Sequence, residues 1–193
     1  MNYIFTQHWF NGSGVQQHIK KCINSKNKNK ILEIGSFEGQ SSVFFADNLL
    51  DNNDSFLICV DPYIESGTVE GITTLFVNND VKNRFTNNIS KSKNANKIIH
   101  HCKTSDDFFL ENNITYNFIY IDGCHNPEYV KRDINNAFKV LEKNGILWMD
   151  DYLYGDRKEH KGRPQDVIDQ FLKENIGKYE IIYKDYQIAI KKL

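Results

Sequence analysis

An excess of charge of either sign is missing from this 193-residue chain: 24 Lys and Arg stand against 25 Asp and Glu, a formal net charge of −1. No global field therefore draws it to nucleic acid or to an anionic membrane surface. Long apolar runs are missing too. None approaches 18 residues, so no membrane span is expected. The opening MNYIFTQHWFNGSG has no basic start followed by an apolar stretch, so it does not read as a signal peptide. Cysteine is scarce. Cys22, Cys59, Cys102 and Cys124 form no CxxC pair and no even framework, and three lie in or beside apolar runs, where a free thiol acts as a small hydrophobe. A reducing, cytoplasmic compartment is the expectation. There is no internal repeat, linker or composition break, so residues 1–193 are expected to form a single domain. The Lys- and Asn-rich patches at 25–30 and 90–97 read as solvated loops.

What is present is alternation. KILEI (30–34), FLICVD (56–61), KIIHH (97–101), NFIYID (117–122) and GILWMD (145–150) are predicted as buried strands, apolar enough for a parallel sheet covered on both faces. Between them the spacing predicts helices over Gln40–Leu50, Asp80–Ile89, Ser105–Glu111 and Glu128–Leu141, the last closed by Asn144-Gly145. A further helix over Pro164–Asn175 precedes the strands EIIYK (180–184) and YQIAIKK (186–192), joined by a tight turn containing Asp185. An N-terminal helix is predicted over about Gly14–Asn24. The fold class is α/β: one doubly wound, mainly parallel sheet with an antiparallel C-terminal hairpin.

In such a sheet ligands bind at the carboxyl ends of the strands. The stretch KILEIGSFEGQS puts Gly35 and Gly39 in a turn there, where the missing Cβ lets backbone approach a ligand. A dinucleotide fingerprint GxGxxG needs glycine at 35, 37 and 40, and this chain has Phe37 and Gln40. Acids flank the turn instead. Glu33 lies two residues before Gly35, and Asp61 ends the second strand, where an acid accepts hydrogen bonds from a ribose. Thr104-Ser105-Asp106 after the third strand would meet a base edge. An amino-acid end, a ribose and an adenine together describe S-adenosylmethionine.

EIGSFEGQS, CVDPY and FIYIDGCHNPEYVKRDINNAFKVLEKNGILWMDDY resemble the Rossmann-like S-adenosylmethionine-dependent methyltransferases, most closely the small-molecule and sugar O-methyltransferases. The opening FTQHWF is similar to the start of uncharacterised methyltransferases that share the IDG-x-H segment. The resemblance implies a seven-stranded sheet of order 3-2-1-4-5-7-6. It implies that Glu33 and the Gly35–Gly39 backbone, with Ser36 and Phe37, hold the methionyl end. Ser41 would take its carboxylate, Asp61 with Pro62 the ribose, and Ser105 with Asp106 the adenine, with Asp122 beside the donor.

The fourth strand ends YIDGCH and the fifth WMDDY. As neighbours in this fold they bring Asp122, Asp150 and Asp151 together, and three carboxylates repel unless a cation separates them. A hard divalent ion such as Mg²⁺ would suit them and would lower the pKa of a bound hydroxyl. In the metal-dependent O-methyltransferases that the chain resembles, an acid ends strand four and an acid-acid or acid-Asn pair ends strand five, a pattern that Asp122, Asp150 and Asp151 match. Their catechol-type general base stands three residues after the first metal acid, here His125, so Asp122 and His125 are the expected catalytic pair. Sugar-type relatives place an acid where this chain has Cys124. Asp122 and Asp150 also read as polar strand ends of a metal-free methyltransferase.

The leading expectation is methyl transfer to a hydroxyl of a small molecule such as a sugar. Alternatives of another class are a nicotinamide-dependent oxidoreductase and a non-catalytic cofactor-binding module. Nucleic acid is not expected as acceptor, because charge is balanced and no (D/N)PPY run is present. Relatives of this kind are often homodimers. Acceptor specificity is expected from the N-terminal helix and residues 63–79 and 152–163, with His8, Trp9, Tyr152 and Tyr154 as lid or core aromatics.

Overall fold

A computed structural model describes residues 2–63, 80–155 and 162–193. In chain order the elements are α1 (Trp9–Gly12), α2 (Gln16–Cys22), β1 (Lys30–Ile34), α3 (Gln40–Leu49), β2 (Phe56–Val60) and α4 (Asp80–Ser90). A 3₁₀ turn at Ala95–Lys97 leads to β3 (Ile98–His101), α5 (Ser105–Glu111), β4 (Tyr116–Ile121), α6 (Pro127–Val140) and β5 (Leu141–Met149). The chain closes with α7 (Pro164–Glu174), β6 (Tyr179–Lys184) and β7 (Ile188–Lys192). The sheet has seven strands in the order β3-β2-β1-β4-β5-β7-β6, as the resemblance implies. Among the described residues no helix is long and apolar enough to cross a membrane. The chain forms two compact units, residues 1–29 with 36–104 and residues 30–35 with 105–193.

In the second unit β1, β4 and β5 run parallel, while β7 is antiparallel to β5 and β6. Register places Ile34 beside Ile121 and Ile121 beside Met149. The next residues therefore leave the sheet at one level, with Asp122 N–H bonded to Ile34 O at 2.8 Å and Asp150 N–H to Ile121 O at 2.9 Å. One row earlier stand Glu33, Tyr120 and Trp148, all fully buried. The helix α6 starts at Pro127, whose missing N–H costs nothing at the first turn, and the Asn126 side chain accepts from Glu128 N–H. It buries Val130, Ile134 and Ala137, each apolar side chain worth about 1.5–3 kcal/mol for the larger aliphatics.

One boundary differs from expectation. Strand β5 begins at Leu141 rather than 145, with Leu141 paired to Tyr116 and Ile146 to Phe118. Residues 142–145 have only one opposing residue, so they bulge, and Asn144 takes φ +63°. Asn144-Gly145 shapes that bulge instead of closing the helix.

In the first unit β2 and β3 pair in parallel with Val60 beside His101, which sets Asp61 at the strand end. Helix α3 buries Val43, Phe45, Ala46 and Leu49, and α4 buries Val81, Phe85 and Asn88. The N-terminal helix falls at 16–22, and α1 is a further short turn of helix not foreseen from periodicity.

Candidate active site

The turn after β1 rests on Gly35. Its φ is +84°, and a Cβ there would lie 2.0 Å from the carbonyl oxygen of Asp122 and 2.7 Å from Gly123 Cα. Backbone therefore meets backbone where β1 and β4 end, and only glycine fits. Glu33 is completely buried beside Tyr120, and its charge helps hold that phenol well above its ordinary pKa, after burial and the charges of Asp150 and Asp122.

In the first unit the rest of the turn is built on Asp61. Its Oδ2 accepts from the amides of Ser36 (3.0 Å) and Phe37 (2.9 Å), and Oδ1 from Tyr63 (2.9 Å). Burial raises its pKa, while the three amide bonds favour the charged form. A carboxylate offers about four acceptor positions, so these three amides leave about one. Phe37 has φ +45° and Gly39 φ +82°, with the Phe85 ring closing the space over Gly39. Gly39 caps α3, Ser41 is buried in its first turn, and Pro62 O receives the Cys102 thiol at 3.6 Å. The Ser36 hydroxyl is buried and has no hydrogen-bond partner among the described residues.

The acid cluster at the ends of β4 and β5 lies wholly in the second unit. Asp122, His125 and Asp151, all half-buried, each offer one ligand atom, and these atoms lie within 4.8 Å of one another. His125 Nε2 is 2.7 Å from Asp151 Oδ2. The Tyr186 hydroxyl donates to Asp151 Oδ1 at 2.9 Å, and the Tyr154 ring packs on His125 at 4.1 Å. Asp151 adopts φ +55°, an uncommon conformation for a residue with a Cβ. Asp150 stands apart from this group: its Oδ2 accepts from the Tyr120 hydroxyl and its Oδ1 from Asp151 N–H at 2.7 Å. Burial, then the Asp151 charge, pushes the Asp150 pKa up against those hydrogen bonds and one from Gln187. The expected trio of Asp122, Asp150 and Asp151 is thus adjacent in chain and sheet, but the close set takes His125 in place of Asp150. Asp122, His125, Asp150 and Asp151 line a small recess of about 10 Å³, whose remaining walls include apolar Val130, Ile134, Met149 and Ile168, about the least that holds one water.

Ser105 and Asp106 open α5, and both have partners. Asp106 pairs with Arg132 at 2.6 Å, and Ser105 hydrogen-bonds Asp133. Asp133 is buried, and its Oδ1 has no partner among the described residues. Burial first, then the Asp106 charge, raises its pKa to about 6 against the Ser105 bond and Arg132.

Sequence reasoning passed over Glu38, Tyr120, Asp133 and Tyr186. Glu38 carried a signal, an acid inside the glycine turn itself. Tyr186 carried none, because its reach to Asp151 depends on the hairpin's register against β5. Tyr152 is core, its hydroxyl donating to Asp169 at 2.9 Å. His8 meets Gln40 Nε2 at 3.3 Å, and exposed Trp9 stacks on Phe37. Residues 64–79 and 156–161, most of the two segments expected to set acceptor choice, lie outside the described residues.

A family model described as a methyltransferase domain matches residues 32–152. The chain belongs to that methyltransferase domain family. The match runs from β1 past Asp151, so it includes the glycine turn, Asp61, Asp122 and His125. No curated protein matches. Among solved structures, a Clostridium thermocellum protein whose assignment as an rRNA methylase is itself provisional superposes with a TM-score of 0.71 at 12% identity, over 98% of each chain. The O-methyltransferase TomG of Streptomyces achromogenes, of tomaymycin synthesis, superposes at 0.66 with 14% identity, over 95% of this chain and 79% of that one. An O-methyltransferase of Bacillus cereus gives 0.66 at 14%, over 95% and 81%. At these identities the likeness is one of fold. As a methyltransferase domain, the protein keeps its candidate chemistry at the ends of β4 and β5.

Proposed function

We propose that this methyltransferase domain moves a methyl group from S-adenosylmethionine to a hydroxyl of a small molecule, such as a sugar. The observation that carries the reading is the His125–Asp151 pair beside Asp122, in a chain of this family. Two of the structural neighbours support the choice of donor, TomG having been solved with S-adenosylmethionine and the Bacillus cereus enzyme with S-adenosylhomocysteine. The glycine turn fits that donor, because the buried Ser36 hydroxyl and one remaining position on Asp61 are polar groups left for a ligand. When bound, the donor supplies an electrophilic methyl group. Within the first unit, residues 36–39 and Ser41 would hold its amino-acid end, and Asp61 and Pro62 its ribose.

The chain's own contribution is to deprotonate the acceptor and to hold it in line. With Nε2–H donated to Asp151, the His125 lone pair lies on Nδ1, the atom that takes the hydroxyl proton. Asp151 fixes the ring and stabilises the imidazolium, and Tyr186 fixes Asp151. Asp122, at the same edge, would accept a hydrogen bond from the acceptor.

The close spacing of Asp122, His125 and Asp151 favours a second reading, in which the three hold a divalent cation. Two carboxylates and an imidazole suit a transition ion such as Mn²⁺ at least as well as Mg²⁺. A bound ion would lower the pKa of an acceptor hydroxyl, and His125 would then be a ligand rather than a base. Release of S-adenosylhomocysteine with hydroxylated acceptors, measured with and without chelator, tests both. Turnover that survives chelation supports the base, turnover lost to chelation and restored by Mn²⁺ supports the ion, and no turnover with any hydroxylated acceptor counts against O-methylation.

A further inference from the structure

In the first unit the N-terminal segment is tied to the glycine turn residue by residue. The Glu38 carboxylate, only 1% exposed, receives Thr6 N–H and Thr6 Oγ, each at 2.6 Å, and Arg84 Nε at 2.6 Å. Asn88 accepts from Ile4 N–H (2.9 Å) and donates to Ile4 O (2.8 Å) and to Glu38 O (2.9 Å). Gln40 donates to Gln7 O at 3.2 Å and accepts from Asn11 N–H at 3.0 Å. Trp9, 58% exposed, lies on the Phe37 ring with centroids 5.4 Å apart and planes 29° from parallel. These ties surround the one residue of the turn that has a Cβ and a positive φ. Phe37 is held in the left-handed region by its amide bond to Asp61, by Trp9 on its ring and by the fixed Glu38 that follows it. A buried carboxylate is costly to keep unless its partners are held in place, and the three donors on Glu38 fix it against both the N-terminal segment and α4.

We propose that Glu38, Thr6 and Trp9 are positioning residues for the methyl donor. They touch no reacting atom. They hold Phe37 in the conformation that shapes residues 36–39, Glu38 from within and Trp9 as an outer clasp, so that the turn is preorganised before the donor arrives. The inference rests on the reading that this turn holds the methionyl end of S-adenosylmethionine.

The test is calorimetric titration of the full chain with S-adenosylhomocysteine, beside thermal unfolding, for wild type, Trp9→Ala, Trp9→Phe and Glu38→Gln. Trp9→Ala is expected to weaken binding by about tenfold or more with Tm nearly unchanged, because an exposed ring adds little to the core. Trp9→Phe is expected to restore affinity to within about threefold, since a ring remains to stack on Phe37. Should Glu38→Gln fail to fold, the Trp9 pair decides. Wild-type affinity in Trp9→Ala overturns the proposal and leaves the donor reading intact. A wild-type chain that binds no S-adenosylhomocysteine overturns the donor reading itself.

Discussion

His125 Nε2 stands 2.7 Å from Asp151 Oδ2, joining the loop after β4 to the residue that follows Asp150 at the end of β5. Strand pairing brings the two residues to the same edge of the sheet. Ile121 and Met149 are in register, so His125 and Asp151 each leave the sheet within four residues of the same row. Tyr186 on the other Asp151 oxygen holds the carboxylate to the ring.

If the pair is the base, His125→Gln and Asp151→Asn should each reduce turnover by about 10²–10⁴ while S-adenosylhomocysteine affinity stays within about threefold. Single-turnover rates beside calorimetry check this. Equal losses in affinity and rate would place the pair in donor binding instead.

For the cation, Mn²⁺ titration followed by paramagnetic resonance should find one ion per chain, lost in Asp122→Asn and Asp151→Asn. In Asp150→Asn affinity should fall by no more than about 10–100-fold, the range expected of a group beyond the ligands. Asp150 is already engaged by Tyr120 and the Asp151 amide. Loss of the ion in Asp150→Asn as complete as in Asp151→Asn would restore Asp122, Asp150 and Asp151 as the ligand set.

Gly35→Ala should destabilise the chain by more than about 4 kcal/mol, the scale at which a substitution has a named steric cause. The added Cβ would lie 2.0 Å from Asp122 O, and φ is +84°. Urea unfolding or the soluble yield measures it, and a variant of wild-type stability would contradict the close backbone approach.

Asp133 gives the stability a pH dependence of known sign. Its folded pKa is about 6 against an ordinary 3.8, so the folded chain keeps the proton longer than the unfolded one. This contribution is fully present below about pH 4 and is lost as pH rises through 6, a change of up to about 3 kcal/mol. Asp133→Asn should therefore flatten the stability profile between pH 4 and 6.5 and raise Tm at pH 7.5. A variant less stable than wild type at pH 7.5 but equal at pH 4.5 would mean that the charged carboxylate has a favourable partner.

Much of this was legible from patterning. The strands β1–β5 and the closing hairpin follow from short apolar runs separated by helical periodicity, and α5 falls at 105–111 as read. The bulge in β5 was not legible, because it arises from a mismatch in length against β4. At the site, Asp122 and Asp151 were named from strand ends, since a strand end fixes a residue's place in the sheet, and His125 from the family resemblance. That His125 rather than Asp150 completes the close group depends on which way two adjacent side chains turn. The buried Tyr120, a strand residue like any other in sequence, decides that by taking Asp150. Glu38 was hidden for a similar reason: its partners Thr6, Arg84 and Asn88 lie between 32 and 50 residues away.

The most direct measurement is a calorimetric titration of the purified chain with S-adenosylhomocysteine, with NADH as the comparison ligand. Saturable binding of one S-adenosylhomocysteine per chain, with no heat from NADH, is expected of a methyltransferase domain that uses this donor. Binding of NADH, or of neither ligand, would contradict it.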